Sequence, residues 1–413
     1  MPHFCPNHCS NAQHKSDVQG IIAGGGSIMR HSYLFLTLIC LLFALPTLSL
    51  TAQDTPTAWP VETHCVGEPT TPPEDWTFPG AILMTGNFGI HAVHAGWDTP
   101  HVVAFLEKNN TTNTAGLSPN GLWYAVMLGG VRPSAYNNQV VQVDETGIIV
   151  YSTLNPREKY SVNWDNTYGY VGMQALKPNF LWLDNEHLVY TNALQGEGIS
   201  AAIINPFSGE SDLQYTNCVQ WTVAYLQPSP DWSSFIYDAS FKGNEWTLTS
   251  GDITQTLTPE GSPYMRVIWK PDSSAFVAQN IKYGVDYGEP IFSDLALYND
   301  KRQIDSAISK NTSILDNSEA SVRIDWSPNG RYLAYIAGDK KELHLADTQT
   351  KTVRNLCVST DSLSWSPDGK QLALLKMGDY KQRQQPVLVF DLASDQLHTV
   401  AYHSGSIIGW RED

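Results

Sequence analysis

The sequence predicts an all-β protein built as a β-propeller of four-stranded blades. One observation is a Trp-Ser-Pro-Asp/Asn-Gly turn that recurs with strand-like sequence on both sides. Another is the composition, in which aromatic residues, Gly and Pro are abundant and only 16% of the residues are charged. Such a composition suits many short buried strands joined by turns better than long amphipathic helices. The third is the spacing of the turns, which fits one turn per blade.

The turn is best defined in two copies, at residues 324–330 and 363–369, each followed by an apolar segment. Proline presets φ at the second turn position, Asp or Asn tolerates the third, and Gly accepts a positive φ at the fourth. The Trp ends the incoming strand. These positions are therefore predicted to be structural: Trp326, Pro328, Gly330, Trp365, Pro367 and Gly369.

Weaker copies of the turn occur at residues 116–121, 181–185, 228–231 and 268–272, and a half copy lies at 407–410. The mean spacing of about 49 residues matches a four-stranded blade. We predict seven blades, with six or eight left open because three of the anchors, at Leu117, Trp182 and Pro228, are degenerate. The C-terminal half copy is expected to pair with the strands that begin at Gly80 and so close the ring.

A second pattern lies between the turns. It consists of apolar, any and apolar residues followed by Asp or Asn and a short polar turn, at residues 141–144, 203–205, 343–347 and 388–391. This pattern predicts an outer hairpin, which supplies the third and fourth strands of each blade.

The N-terminal residues indicate export. A charged start at Met29 and Arg30, an apolar run over 33–45 and a stretch of small residues are typical of a secretory signal peptide, and a membrane span needs about 20 apolar residues. We predict an over-extended translation start at 1–28, a signal peptide at 29–52, a Pro-rich linker at 53–79 and the propeller at 80–413. The expected location is extracytoplasmic, secreted or periplasmic, with an uncleaved anchor as the alternative.

The net charge narrows the classes of partner, and the cysteine content limits the number of disulfides. The 41 acidic and 25 basic residues give a net charge of −16, which argues against nucleic acid and anionic membrane surfaces. Three cysteines follow the signal segment, at 65, 218 and 357, so at most one intramolecular bridge is possible. The sequence leaves their pairing open.

The Trp-Ser-Pro-Asp-Gly turns resemble those of the TolB-like, WD40-like propeller family of exported bacterial proteins. Residues 253–258 are similar to a segment that this family often places in an outer strand. The resemblance spans residues 80–413 and is strongest over 323–391. The resemblance implies a propeller fold and a binding function, and it implies no catalytic residues.

No catalytic motif, metal site or cofactor site is predicted. A Gly-x-Ser-x-Gly nucleophile elbow is absent from the sequence. His91 and His94 lie three residues apart in a predicted strand, so their side chains are expected on opposite faces and cannot chelate together. Asp184, Glu186 and His187 have acid–base side chains but sit beside a turn, where polar residues are ordinary.

Propeller topology separates two faces of the disc. Connections between first and second strands and between third and fourth strands lie on one side, here called the turn face. Connections between second and third strands and between blades lie on the other, here called the loop face. The turn face is predicted to be structural. The predicted partner-binding residues lie in long insertions on the loop face: Arg132, Tyr136, Trp164, Tyr168, Tyr170, Tyr283, Tyr287 and Tyr380.

Aromatic rings on loops of a rigid scaffold give binding area at low entropic cost. The predicted function is a non-enzymatic scaffold that binds a protein, peptide or glycan through the loop face. The structural alternative is that the same residues pack onto the propeller as caps and bind no partner. The alternative function is a propeller enzyme acting on carbohydrate, a lyase or a glycosidase.

Overall fold

The structure is a computed structural model, and it describes a large part of the chain. The described residues are 57–86, 89–97, 99–106, 111–128, 147–163, 179–194, 198–216, 226–238, 246–250, 253–257, 264–282, 292–299, 301, 303–313, 322–377 and 384–412. The predicted translation start and signal peptide, residues 1–28 and 29–52, lie outside them.

Strands account for the regular structure of the described residues, which contain no helix. None of this part of the chain could therefore cross a membrane as a long apolar helix. In chain order the strands are β1 (Val61–Thr63), β2 (Ala81–Gly86), β3 (Gly89–His94), β4 (His101–Phe105), β5 (Thr111–Leu117), β6 (Trp123–Leu128), β7 (Gly147–Ser152), β8 (Lys159–Asn163), β9 (Asn179–Trp182), β10 (Leu188–Leu194), β11 (Gly198–Ile204), β12 (Ser211–Thr216), β13 (Leu226–Pro228), β14 (Ser234–Asp238), β15 (Trp246–Ser250), β16 (Ile253–Leu257), β17 (Tyr264–Trp269), β18 (Phe276–Lys282), β19 (Phe292–Tyr298), β20 (Ile304–Thr312), β21 (Ile324–Trp326), β22 (Tyr332–Ala337), β23 (Glu342–Asp347), β24 (Thr352–Trp365), β25 (Gln371–Lys376), β26 (Gln385–Asp391), β27 (Gln396–His403) and β28 (Ser406–Arg411).

The strands form small antiparallel sheets in a propeller-like ring. Four sheets are simple meanders: β5 to β8, β9 to β12, β13 to β16, and β17 to β20. A fifth sheet has the order β28-β2-β3-β4, so the C-terminal strand joins three N-terminal ones, as predicted. The remaining sheet, here called the double sheet, runs from β21 to β27 in order, with β1 added beside β24.

The first strands of neighbouring sheets approach one another. β5 contacts both β28 and β9, while β21 contacts both β17 and β24, and β24 in turn contacts β28. Apolar side chains fill the space between sheets. One buried cluster joins Val277 and Leu297 to Leu333 of the double sheet, and another joins Met84 of β2 to Leu375. Because both faces of each sheet are covered, the strands are apolar on both sides.

The Ser-Pro-Asp/Asn turns share one hydrogen-bond network. The serine Oγ donates to the side chain of the Asp or Asn two residues later and accepts a hydrogen bond from the backbone N–H five residues later. One hydroxyl therefore acts as both donor and acceptor within the turn. The donated bonds, of 2.6 to 2.8 Å, are Ser118–Asn120, Ser229–Asp231, Ser327–Asn329 and Ser366–Asp368. The accepted bonds come from the backbone N–H groups of Trp123, Ser234, Tyr332 and Gln371.

Two of the degenerate copies, at residues 228–231 and 268–272, keep the backbone of the turn. The fourth position has a φ of 66° at Gly330 and 69° at Gly369, in the left-handed region where Gly costs least. Trp232 and Ser273 adopt φ values of 58° and 60° at the same position, without Gly. The turn geometry is therefore retained after its consensus residue is lost, which explains why these copies were hard to recognise in the sequence.

Four anchor tryptophans are hydrogen-bonded to the anchor segment that precedes them in the chain. In each of the four, the indole Nε1 donates to the carbonyl of the residue two positions before the preceding turn serine or its equivalent. Each Trp therefore packs its ring into the apolar core, and its indole N–H is hydrogen-bonded to the preceding anchor segment. The bonds, of 3.0 to 3.3 Å, are Trp182 to Gly116, Trp269 to Gln227, Trp326 to Ile268 and Trp365 to Asp325.

Residues 57–79, here called the arm, run along outer strands of the ring. The arm bridges to Ala307 of β20, pairs in parallel with β24 through β1, and bridges to His398 of β27. Trp59 is 6% exposed and Phe78 4%. A disulfide joins Cys65 to Cys357 of β24, which answers the pairing question that the sequence left open.

Candidate functional site

All eight residues predicted to bind a partner lie outside the described residues. This holds for the groups at 132–136, 164–170 and 283–287 and for Tyr380. Their role on the loop face remains a prediction. The six predicted structural turn residues lie in two of the turns described above.

The histidines of the first sheet contact different neighbours. The ring centroid of His91 lies 4.7 Å from that of His403, whereas His94 stacks against Trp97 at 4.2 Å and its Nε2 lies 3.4 Å from Arg411 Nη2. This agrees with the prediction that residues three apart in a strand diverge. Within the described part of the chain, no group of three or more His, Cys, Asp or Glu side chains is arranged to hold a metal ion.

Burial and the neighbouring His91 lower the pKa of His403 to about 4. The side chain is 5% exposed, and its Nδ1 accepts a hydrogen bond of 2.9 Å from the backbone N–H of Gly405. A proton on Nδ1 would place an N–H donor of the imidazole against the backbone N–H donor of Gly405. The imidazole is therefore neutral, with its proton on Nε2.

The His403 environment predicts a loss of stability in mild acid. His403 takes up a proton near pH 6.5 in the unfolded state but only near pH 4 in the folded state. The free energy of unfolding is therefore highest above pH 6.5 and declines by about 3 kcal/mol in total as the pH falls toward 4. In His403→Asn, Oδ1 can still accept from Gly405 but does not titrate. Denaturant unfolding at several pH values should show a flatter profile for this variant; an unchanged slope would refute the assignment.

The turn carboxylates are engaged in their own turns. Burial raises the pKa of Asp231, but hydrogen bonds from Ser229, Ser233 and Ser273 outweigh this effect and hold it at about 2. In the same way Asp184 Oδ1 accepts the backbone N–H groups of Glu186 and His187, at 2.7 and 2.8 Å. Such groups close turns and do not exchange protons near neutral pH.

Asp325 of β21 differs from the turn carboxylates. Burial raises its pKa to about 7, opposed by hydrogen bonds from the backbone N–H groups of Trp326 and Trp365. Its own carbonyl accepts the indole N–H of Trp365, so its backbone belongs to the link between two anchor segments. The residue thus occupies a structural position in the ring.

A cavity of about 500 Å³ opens to solvent between the sheets β5–β8 and β9–β12. It is bordered by the first turn of each sheet and by the turn between β11 and β12, so it lies on the turn face. Its size is within the range typical of small-ligand sites. The residues that line it include Asn120, Trp123, Asn185, Glu186, Asn205 and Phe207.

Two half-buried aromatic rings, Trp123 and Phe207, line one wall of this cavity, and Tyr160 packs against both of them. Trp123 begins β6, and its ring centroid lies 4.9 Å from that of Phe207 and 5.5 Å from that of Tyr160. Phe207 and Tyr160 are 5.0 Å apart at an interplanar angle of 83°. These distances are those of a packed aromatic cluster, so each ring holds the others in place.

Three asparagines complete the cavity in fixed orientations. The Oδ1 of Asn120 accepts Ser118 Oγ and the backbone N–H of Leu122, at 2.6 and 3.1 Å. Asn185 Oδ1 accepts the backbone N–H of Asn120 at 3.0 Å.

Asn205 Oδ1 accepts the backbone N–H groups of Phe207 and Ser208, at 2.9 and 3.0 Å. Because each amide oxygen is fixed in a turn, the three Nδ2 groups remain as donors. No described residue accepts a hydrogen bond from any of them.

Two corresponding grooves in the double sheet are covered. Trp123 pairs with the last residue of the third strand, and Tyr332 and Gln371 hold the same position in the double sheet. The Tyr332 ring is covered by Arg331, whose guanidinium lies 4.7 Å from the ring centroid. Gln371 Nε2 donates to Thr77 of the arm at 3.3 Å. Among the described residues, neither a cation nor the arm covers the groove beside Trp123.

The cavity was missed in the sequence because its residues look structural. They occupy turns and strand starts, and the turn face was predicted to be structural. The available signal was an Asn at or beside three neighbouring turns, at 120, 185 and 205, together with Trp123 at the start of the strand that follows the first of them.

Comparisons with known proteins find similar folds and no family. No family model matches the chain, and no curated protein matches it. Among solved structures, TolB from Acinetobacter baumannii is 12% identical, with a TM-score of 0.35 over 80% of this chain and 82% of that chain.

A putative 6-phosphogluconolactonase from Bacteroides uniformis is 14% identical, with a TM-score of 0.46 over 80% of this chain and 97% of that chain. An oligogalacturonate lyase in complex with manganese is 13% identical, with a TM-score of 0.41 over 79% of this chain and 86% of that chain. The propeller-like ring itself is established by the strand topology.

Proposed function

We propose that the chain is an exported, non-enzymatic β-propeller that binds a protein, peptide or glycan partner. The observation that carries this proposal is the cavity beside Trp123, where packed aromatic rings and three oriented amides meet solvent on short, hydrogen-bonded turns. Binding residues held by a rigid scaffold need little ordering when a ligand arrives. The turn carboxylates support a structural role for the rest of this face.

The ring has seven blades in this proposal. β24 is 14 residues long; its residues 352–359 pair with β23 and its residues 360–365 pair with β25. The double sheet then consists of two blades that share one continuous strand. Together with the five four-stranded sheets this gives seven, in agreement with the spacing of the anchors.

An extracytoplasmic location is supported by two observations. Residues 29–52 have the pattern of a signal peptide. The Cys65–Cys357 disulfide ties the arm to the ring, and structural disulfides persist in oxidising compartments.

The loop face is proposed as a partner-binding surface. We expect the double substitution Tyr283→Ala with Tyr287→Ala to reduce capture of a protein, peptide or glycan partner from the extracytoplasmic fraction by about tenfold or more, because a few residues, often Tyr or Trp, supply most of the binding energy of an interface. The control is Tyr402→Ala, which removes a tyrosine that is 54% exposed on β27. Equal capture by all three proteins, with unchanged unfolding curves, would exclude this surface.

The alternative is a carbohydrate-active enzyme. It is favoured by Glu186, whose carboxylate lines the cavity next to the Asp184–His187 pair, in which Nδ1 lies 3.0 Å from Oδ1. A glycosidase needs a pair of carboxyl groups that flank the scissile bond. Incubation with a polysaccharide panel decides between the two functions: turnover that is lost in Glu186→Gln would establish the enzyme and exclude the scaffold.

A further inference from the structure

We infer that the cavity beside Trp123 is a subsite for an uncharged sugar ring of a glycan. This inference rests on the proposed binding function and narrows its ligand class. It depends on three properties of the described residues: the aromatic wall, the unused amide donors and the sign of the charge.

The aromatic wall offers an apolar surface of fixed position. Trp123 and Phe207 are half-buried, and contacts with each other and with Tyr160 hold their rings. One face of a pyranose ring presents several C–H groups and little polarity, so it can cover such a wall and gain by the removal of apolar surface from water. A rigid ring also loses little conformational entropy when it binds.

The amide groups supply the polar complement. Nδ2 of Asn120, Asn185 and Asn205 can each donate two hydrogen bonds, and their oxygens are already occupied within the turns. Sugar hydroxyl oxygens accept such bonds at the edge of the ring, while the ring face covers the aromatic wall. A site with donors at its rim and an apolar wall rejects ligands that lack matching acceptors, since the donors would lose their water without a replacement.

The charge of the cavity excludes anionic ligands. Glu186 is the charged residue of the lining, and no Lys or Arg of the described residues contributes to it. The chain as a whole carries a net charge of −16. A uronate or phosphate would meet a carboxylate without a compensating cation, so a sugar without charge is the better match.

A peptide backbone fits this cavity less well. Extended peptides bind by adding a strand to an open sheet edge. The cavity is bordered by turns instead, and the backbone N–H groups of Leu122, Phe207 and Ser208 are occupied by the asparagine oxygens. The groups that remain for a ligand are side-chain amides and rings.

The chain contains a matched pair of substitutions for the test. Asn205→Asp keeps the Oδ1 acceptor of its turn and removes the Nδ2 donor from the cavity. Asp is compatible with this turn, because Asp391 Oδ1 accepts the backbone N–H groups of Ala393 and Ser394 at 3.0 and 2.9 Å in the corresponding turn of another sheet. The control is Asn299→Asp. Asn299 does not line the cavity, and its Oδ1 accepts the backbone N–H groups of Lys301 and Gln303, at 2.9 and 3.1 Å, in the turn between β19 and β20.

A second pair tests the aromatic wall. Trp123→Ala removes one of its two rings, and Tyr332→Ala removes a half-buried ring at the same register position in the double sheet. Tyr332 is covered by Arg331 and does not line the cavity. The two substitutions should have similar effects on stability, so a difference in binding reports on the cavity.

The experiment measures binding of defined hexasaccharides to the folded chain by calorimetry. The uncharged probes are oligomers of glucose, mannose, galactose and N-acetylglucosamine; hexagalacturonate is the anionic probe and hexaglucosamine the cationic one. We expect an uncharged probe to bind at least tenfold more tightly than either charged probe. Trp123→Ala and Asn205→Asp should each weaken that binding roughly tenfold or more, and the two controls should not.

Several outcomes would overturn the inference: no binding by any uncharged probe, preference for a charged probe, or equal binding by the cavity variants and their controls. Its failure is distinguishable from that of the proposed function. If a protein or peptide partner depends on Trp123 and no sugar binds, the scaffold function stands and the sugar subsite falls. If a probe is cleaved, the sugar subsite stands and the non-enzymatic function falls.

Discussion

Trp365→Ala is expected to lower the free energy of unfolding by about 4 kcal/mol. The indole is 4% exposed and belongs to a cluster with Leu363, Leu374 and Phe390. Its removal leaves a cavity in the apolar core of the double sheet and also deprives the Asp325 carbonyl of its hydrogen-bond donor. Truncation of a buried Trp costs about 3–5 kcal/mol when the surroundings cannot collapse.

Trp365→Phe separates the two contributions. It keeps most of the apolar contact and removes the indole N–H, so a loss of about 1–2 kcal/mol is expected. Trp97→Ala is the control, because Trp97 lies on the turn face and is 37% exposed. Denaturant unfolding monitored by circular dichroism gives all three values. The role of the anchor would be refuted if Trp365→Ala cost no more than Trp97→Ala.

The sequence predicted the ring because each blade repeats one local solution. The Trp-Ser-Pro-Asp/Asn-Gly turn needs particular residues for its φ values and side-chain bonds, and these can be read directly at Pro328 and Pro367. The closing strand was predictable because residues 407–410 repeat the incoming strand and the Trp of the anchor pattern. It pairs with β2, and its indole N–H donates to the carbonyl of Pro79 at 2.6 Å.

The outer hairpins were predicted less completely. Residues 141–144 fit the apolar pattern ending in Asp, but they lie outside the described residues, and the third strand of that sheet is β7. There Ser152 takes the place of Asp: its Oγ accepts the backbone N–H groups of Leu154 and Asn155, both at 3.2 Å. A hydroxyl can close the same turn as a carboxylate, so the pattern in the sequence was too narrow.

The cavity could not be predicted, because it depends on the groove beside Trp123 having no covering side chain or arm segment among the described residues. Trp123, Tyr332 and Gln371 look equivalent in the alignment of the turns. Only the structure shows that Arg331 covers one groove and that the arm covers another. The arm itself has little apolar pattern beyond Trp59 and Phe78, and its path is fixed by tertiary contacts.

Reduction of the Cys65–Cys357 bridge is expected to lower the free energy of unfolding by roughly 4–5 kcal/mol. The two cysteines are 292 residues apart, so the bridge closes a loop that contains nearly the whole ring. In the chain-entropy model, a crosslink restricts the unfolded chain more strongly as the loop becomes longer. The folded state loses less, because β1 pairing and the hydrogen bonds of the arm to Ala307 and Leu397 do not depend on the bridge.

The double substitution Cys65→Ser with Cys357→Ser should reproduce the effect of reduction and abolish any further response to reductant. The surrounding ion pairs cannot compensate. Asp395 contacts His64 and Arg354, at 2.6 Å each, but partly exposed pairs of this kind contribute about 0–1 kcal/mol.

Hydrogen exchange adds a local test, because a bridge that acts through the unfolded state should leave the backbone protection of β1 largely intact in the reduced protein. Rapid exchange confined to the arm would mean that the disulfide holds a folded-state contact instead. Equal denaturation midpoints with and without reductant would show that the bridge contributes nothing to stability.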